Sequence, residues 1–516
     1  DEYTLTYNWN FGDGQTGTGV NPSHTYGSVG TRTVTLTVDD RNGHTDTATG
    51  SATASAPNPP LNHPGLVPDA PRTNQPTITD GEIWDIEVVG NIAYVAGTFT
   101  SIRQPNNGAT IAQPSLAAYN WSTGQVLTTF RPTFTNGTVT AVEASPDGTK
   151  LYVSGDFGTV GGLSKKAIAR INPTTGAPID TFTANTNGKV FELAVTNTTV
   201  YAGGRFTLVN NVPRGALAAL DGNTGAVRTD FVNNITGGIG TNGELAVQRL
   251  KLTRDEGRLL VVHTGRQVNG QNRYGVAIIN TRTNKLTPWK TTLWEDNLQF
   301  VGGIQRIYGG DISPDGTKFV VSSGSGGDRP PINDTVIVFN LNDDSNAQPV
   351  WISRHFDSVY SATWTEAGIY IGGHFQWAED ISAPVPWPGL DDVGYGTGQG
   401  LSAYALGDAV VKRFHLAALD PTDGHALEWF APSNSYEGDK HIEATSRGLF
   451  VGGDGNTKGG YNVGRIAFFD FQSVPANNTT QTVITDPIEG RIKPVDEQFE
   501  IIGTATAPSG VNRVEL

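Results

Sequence analysis

The sequence contains no cysteine and no methionine. Without thiols there is neither a disulfide framework nor a thiolate metal site, and cysteine pairing cannot report the redox compartment. Charge is scarce as well: 16% of residues are charged, against roughly 25% in an average soluble protein. Positive charge is scarcer still, with 35 Lys and Arg against 50 Asp and Glu and a net charge of −15, so nucleic-acid backbones and anionic membranes are repelled. No apolar run approaches the roughly 18 residues that a membrane helix needs. No signal-peptide pattern opens the chain, which begins at Asp1. Nucleic acid and membrane insertion are therefore set aside as partners. The missing initiator predicts a processed or trimmed piece with neighbouring domains of a longer chain at both ends.

What is abundant is turn chemistry. The 516 residues include 64 Gly and 29 Pro, and between them period-2 apolar segments recur, which reads as an all-β chain. One phrase is written repeatedly: "AYVAGTFT" at 93–100, "LYVSGDFG" at 151–158, "VYAGGRFT" at 200–207 and "IYIGGHFQ" at 369–376. A second phrase follows it each time, ending at Asn120, Asn172, Asp221, Asn280, Asn340, Asp420 and Asp470. In register, the unit is an apolar strand, a tight turn, the "YVGGxF" strand, a variable loop, the "LAALD" strand and a short closing strand. Four strands per unit, repeated seven times at unequal spacing, predict a seven-bladed β-propeller over residues 81–472. Phe99, Phe157, Phe206 and Phe375 read as wedges between sheets. The Asn or Asp that precedes Thr-Gly reads as hairpin chemistry and not as catalysis, and "SPDGTK" at 145–150 and 313–318 as first hairpins. The seventh unit lacks a fourth strand, so the stretch from Thr73 to Thr79 is expected to supply it and lock the ring.

The flanks differ. Residues 1–54 carry "NFGDG", then "PSHTY", then "GTRTVTLTV", a set that closely resembles the polycystic-kidney-disease (PKD) repeat. The resemblance implies an immunoglobulin-like β-sandwich of secreted and surface proteins, here N-terminally truncated. Within it Trp9 and Phe11 are read as packing residues, Asp13 as a turn former and His24 as a packed imidazole. Residues 55–80 form a Pro-rich linker, stiff and extended. Residues 473–482 form a polar linker, and 483–516 read as the start of another immunoglobulin-like domain. The repeats at 80–472, carried by "AYVAGTFTSI", "VYAGGRFTLVNNVPRGALAALDGNTG" and "IYIGGHF", resemble the delta-60 repeat propellers of secreted bacterial proteins, actinobacterial ones in particular. Units four and five, with "LLVVHTGR" and "FVVSSGSG", depart from that pattern. The family implies architecture and an extracellular or cell-surface setting, but little chemistry.

In a propeller the second-to-third-strand loops and the loops entering the first strands share one face, and the expected ligand side is that face. It collects Thr98, Asp156, Arg205, His374 and Asp454 from the x position, with Asp85, Glu192, Arg249 and His441 near the channel mouth. Such a cluster binds small polar ligands or performs acid–base work; the competing reading is inter-blade salt bridges. The long loop 376–413 adds Trp377, Trp387 and Tyr395, aromatic residues among aspartates of the kind that grip sugar rings, unless the loop packs on itself. No nucleophile motif, metal spacing or cofactor signature is present, so no catalytic residue, metal or cofactor is assigned. The expectation is a non-catalytic binding or adhesion module for a glycan or surface protein. Two alternatives stand beside it: a glycoside hydrolase or lyase using funnel carboxylates and His, and a structural bead of a filament or surface layer.

Overall fold

A computed structural model describes the chain except residues 1–4, 23, 25–29, 55–59, 240–242, 296–298, 301–302, 326–333, 356, 380–409, 473–480, 487–501 and 507–516. Every element among the described residues is a strand. At the N-terminus, Thr16–Thr18, Thr6–Asn10, Gly30–Asp39 and Thr45–Ala54 form one antiparallel sheet in that order. Asp40 shapes its long hairpin by accepting the amides of Asn42 and His44. Asp13 binds His24 at 2.8 Å, and that imidazole stacks on Phe11 at 4.0 Å. At the other end Gln481–Asp486 pairs with Ile502–Thr506.

Between them lie seven small sheets built on one plan. Their first strands are Ile83–Val89, Val139–Ala144, Val190–Val195, Val247–Leu252, Gly303–Ile312, Val359–Trp364 and His441–Thr445. Each pairs with a second strand, which carries the "YVGGxF" phrase or, in the fourth and fifth sheets, "LLVVHTGR" and "FVVSSGSG", and that strand pairs with a third at the place of "LAALD". Among the described residues seven apolar clusters hold the sheets together, each shared by two successive sheets. Tyr94 and Leu116 of the first, for example, pack with Val142 and Ile171 of the second. The cluster of Ile83, Ile86, Phe450, Ile466 and Phe468 joins the seventh sheet to the first. The four wedge phenylalanines, Phe99, Phe157, Phe206 and Phe375, are at most 1% exposed.

The repeated glycine has a local cause. In six sheets the first strand carries a bulge, near its start in all but the fifth, and in the first, second, third and sixth the second glycine, Gly97, Gly155, Gly204 or Gly373, backs onto it. A Cβ on Gly97 would lie 1.9 Å from the Glu82 carbonyl, and one on Gly204 2.2 Å from that of Lys189. The close approach is therefore within a sheet, while the preceding glycine meets the next one: a Cβ on Gly203 would lie 2.3 Å from Val247. Turn chemistry follows the motif. Asn120 Oδ1 accepts the amides of Ser122 and Thr123, and Asp221 Oδ1 those of Asn223 and Thr224.

The fourth strand is shorter than four-stranded units require. It is a true strand only in the fourth and fifth sheets, at Lys285–Leu286 and Trp351–Arg354; in the first, second, third and sixth it shrinks to one bridge, such as Leu220↔Val227. The chain turns inward almost at once to bury Phe130, Phe182 or Phe231. What persists is one backbone bond onto the third strand: Leu127 donates to Ala118, Ile179 to Arg170, Arg228 to Ala219, Thr287 to Ile278, Val350 to Val338 and Leu427 to Ala418. In the seventh sheet the same bond comes from the far end of the sequence, Arg72 N to Phe468 O at 2.8 Å. The expected stretch from Thr73 to Thr79 does something else: Thr77–Ile78 pairs with Ser101–Arg103 as the entry strand of the first sheet. The seam is made just before it.

Candidate ligand-binding channel

The seven first strands contact one another in sequence order, and His441–Thr445 contacts Ile83–Val89. Alternation along each strand sends every second residue toward the space they enclose. The bulge re-aims one further residue: Trp84, Thr140, Phe191, Gln248, Tyr308 and Tyr360, with Lys440 at the matching place in the seventh sheet.

Five of them, Trp84, Phe191, Tyr308, Tyr360 and Lys440, join neighbouring charged side chains in a circuit at one end. Lys189 Nζ lies 4.7 Å over the Trp84 ring and 5.6 Å over Phe191, and the Arg205 guanidinium 5.3 Å over Phe191. Arg205 and Arg306 both hold Glu244, at 2.9 and 2.8 Å. Tyr308 meets Tyr360 edge-on at 5.2 Å. Lys440 lies over Tyr360 and binds Glu82 at 2.6 Å, and Glu82 accepts the Trp84 indole N–H. All four aromatic residues are half-buried, each keeping part of its surface open.

One step further in, Arg249 donates to Glu192 at 2.7 Å, and His441 Nδ1 lies 3.0 Å from Asp85, whose other oxygen accepts the Val142 amide. Burial would raise Asp85, but His441 pulls it below the usual carboxylate range. Lost hydration lifts Glu192 to about 7 against the pull of Arg249. The far end opens into a cavity of about 490 Å³ lined by Glu87, Glu143, Lys251, Asp311 and Glu443, with Pro60 and Leu61 of the linker at its rim. Burial, reinforced by neighbouring carboxylates, holds Glu87 and Glu143 well above their ordinary range and raises Glu443. Burial would lower Lys251, yet Asp311, Glu443 and Glu143 reverse this and hold it above its usual value.

The residues nominated from sequence divide. Arg205 is in the circuit, and Asp156 stands beside it, 3.6 Å from Lys189, while its other oxygen accepts the Thr138 amide. His374 is held by Asp357 at 2.7 Å, which raises its pKa. Asp454 caps the amides of Tyr436 and Glu437 and accepts the Ser435 hydroxyl. Trp377 is 5% exposed and belongs to a packed face, so it offers no sugar platform. Trp387 and Tyr395 lie outside the described residues. Sequence reasoning passed over the aromatic circuit and the cavity acids, and the cavity opens on the side of the "SPDG" hairpin, at Ser145, Pro146 and Gly148, opposite the expected face. The signal was present as charges at one register, in "DIE", "VEA", "RLK" and "HIE".

Against known proteins, residues 1–55 match the model of the PKD domain. Over 39 residues the chain is 59% identical to the collagenase ColA of Bacillus cereus, a stretch that spans 8% of this chain and 4% of that enzyme. Among solved structures it is similar to the computationally designed Ika8 protein, at 14% identity and a TM-score of 0.41, covering 77% of this chain and 99% of that one. No helix of the described residues is long and apolar enough to cross a membrane.

Proposed function

We propose that the chain is a non-catalytic extracellular binding module, a PKD domain followed by a seven-bladed propeller of the delta-60 kind, whose channel mouth holds a carbohydrate. The ring reading is supported by the cyclic sharing of apolar clusters and by the Arg72 seam. The observation that carries the ligand reading is the bulge position, which sets Trp84, Phe191, Tyr308 and Tyr360 around one opening with Lys189, Arg306 and Lys440 between them. Aromatic faces stack on the apolar faces of sugar rings while cations and amides bind hydroxyls or acidic substituents. Binding is favoured over turnover because the charged groups of this mouth are held in ion pairs with one another.

The test is a glycan array on the full chain followed by calorimetry with the strongest binder. Trp84→Ala and Tyr360→Ala should each cost on the order of 2 kcal/mol, about thirtyfold in Kd. Binding that survives both substitutions, or an array with no binder, removes the reading. The hydrolase reading draws on the raised carboxyls of the opposite cavity. Release of reducing ends from a polysaccharide, abolished by Glu143→Gln, would put it first.

A further inference from the structure

One pair of places recurs through the sheets: the first-strand residue just before the bulge, and the residue after the wedge that bridges to the entry segment. The bridges Ile78↔Ile102, Phe134↔Val160, Thr186↔Val209, Ile235↔Val268 and Ser433↔Lys458 fix the second place in five sheets. In four of these the pair is apolar and buried: Ile83 with Ile102, Val139 with Val160, Val190 with Val209 and Val247 with Val268. In the seventh it is Asp439 with Lys458, and both are 0% exposed.

Lys458 Nζ is in contact with Asp439 Oδ1 and lies 3.3 Å from the Ser433 hydroxyl oxygen, while Asp439 Oδ2 has no hydrogen-bond partner among the described residues. An ion pair set where its own repeat places two aliphatic side chains is poor for stability, and an orphaned carboxylate oxygen makes it worse. Both difficulties vanish if the pair is consumed.

We propose that Asp439 and Lys458 react with each other to form an intramolecular isopeptide bond. A proton passes from the Lys458 ammonium to Asp439 Oδ2, giving the amine and the carboxylic acid that condensation requires. Nζ attacks Cγ, the C–N bond forms, the C–O bond to Oδ2 breaks, and the Nζ proton leaves with that oxygen as one water. No oxidant or cofactor enters. His415 is the proton carrier at hand: it is 7% exposed, burial lowers its pKa and so favours the neutral ring, and it interacts electrostatically with both Asp439 and Lys458. The absent Cβ of Gly453 leaves room for the product, since one there would lie 2.5 Å from Asp439 Oδ1. The amide would brace the sheet that Arg72 closes without a covalent bond, in a chain that has no cysteine for a disulfide.

Intact-mass spectrometry of the purified full chain should show a mass one water below that of the sequence. Proteolysis should release Asp439 and Lys458 together in one branched peptide. Asp439→Ala and Lys458→Met should each restore the full mass. Should either fail to fold, the double variant Asp439→Ile with Lys458→Ile returns the apolar pair of the first sheet and should fold with no loss of water. A wild-type mass equal to the sequence, or separate linear peptides carrying the two residues, overturns the proposal.

Discussion

At the scale of single residues, the most demanding positions are glycines whose missing Cβ is a packing requirement. Gly204 has the Lys189 carbonyl 2.2 Å and Val190 Cα 2.7 Å from where a Cβ would stand, and both are backbone atoms. Gly204→Ala should therefore destabilise by about 1–3 kcal/mol in chemical denaturation. Gly65→Ala, with nothing within 4 Å, should stay within about 0.5 kcal/mol of the parent. The need for glycine is legible in "GGxF", and the two glycines have different causes: the first, such as Gly203, meets the neighbouring sheet, and the second, such as Gly204, backs onto the bulge of its own. The bulge responsible depends on pairing between two strands and leaves no mark in either alone. The Asn and Asp turn formers were fully legible, because an Asx hairpin is made within a few residues of chain.

At the scale of elements, the decisive one is the segment before the first sheet. Its work lies in a few contacts: the Arg72 amide on Phe468, the Arg72 guanidinium on Asp470 at 3.0 Å and on the Ser122 carbonyl, and Val67 in the cluster between the sixth and seventh sheets. A chain beginning at residue 56 should keep the calorimetric transition of the seven sheets. One beginning at residue 74 should show a lower and broader transition, since the seventh sheet then loses its outer edge. Equal transitions would place the seam elsewhere. The sequence predicted an edge in need of cover and a cover from the N-terminal side. The bond falls on Arg72, one position before the expected stretch, because a single backbone bond needs no apolar pattern.

At the scale of the whole molecule, two buried populations oppose each other with pH. His263 and His355 are neutral when folded, lowered by burial to about 3 from 6.5. Over that interval the unfolded chain binds more protons, so stability falls as pH falls. Glu87, Glu143 and Glu443 are raised above 4.5, and Glu192 to about 7. Here the native state binds more protons, and stability falls as pH rises from 4.5 through the folded values. The two slopes oppose each other between 4.5 and 6.5, so the melting temperature should peak there and decline on both sides. Glu143→Gln should lift only the alkaline flank; an acid flank altered by that variant would sink the assignment. The all-β class, the seven-fold recurrence, the turns and the wedges can be read from the residues alone, because each is written in local periodicity or in residue types that fix backbone conformation. Packing is what brings four bulge residues and three cations to one opening, collects the acids at the other end, and sets Asp439 against Lys458. Those neighbours come from different strands, and nothing short of the packed sheets brings them within a few ångströms.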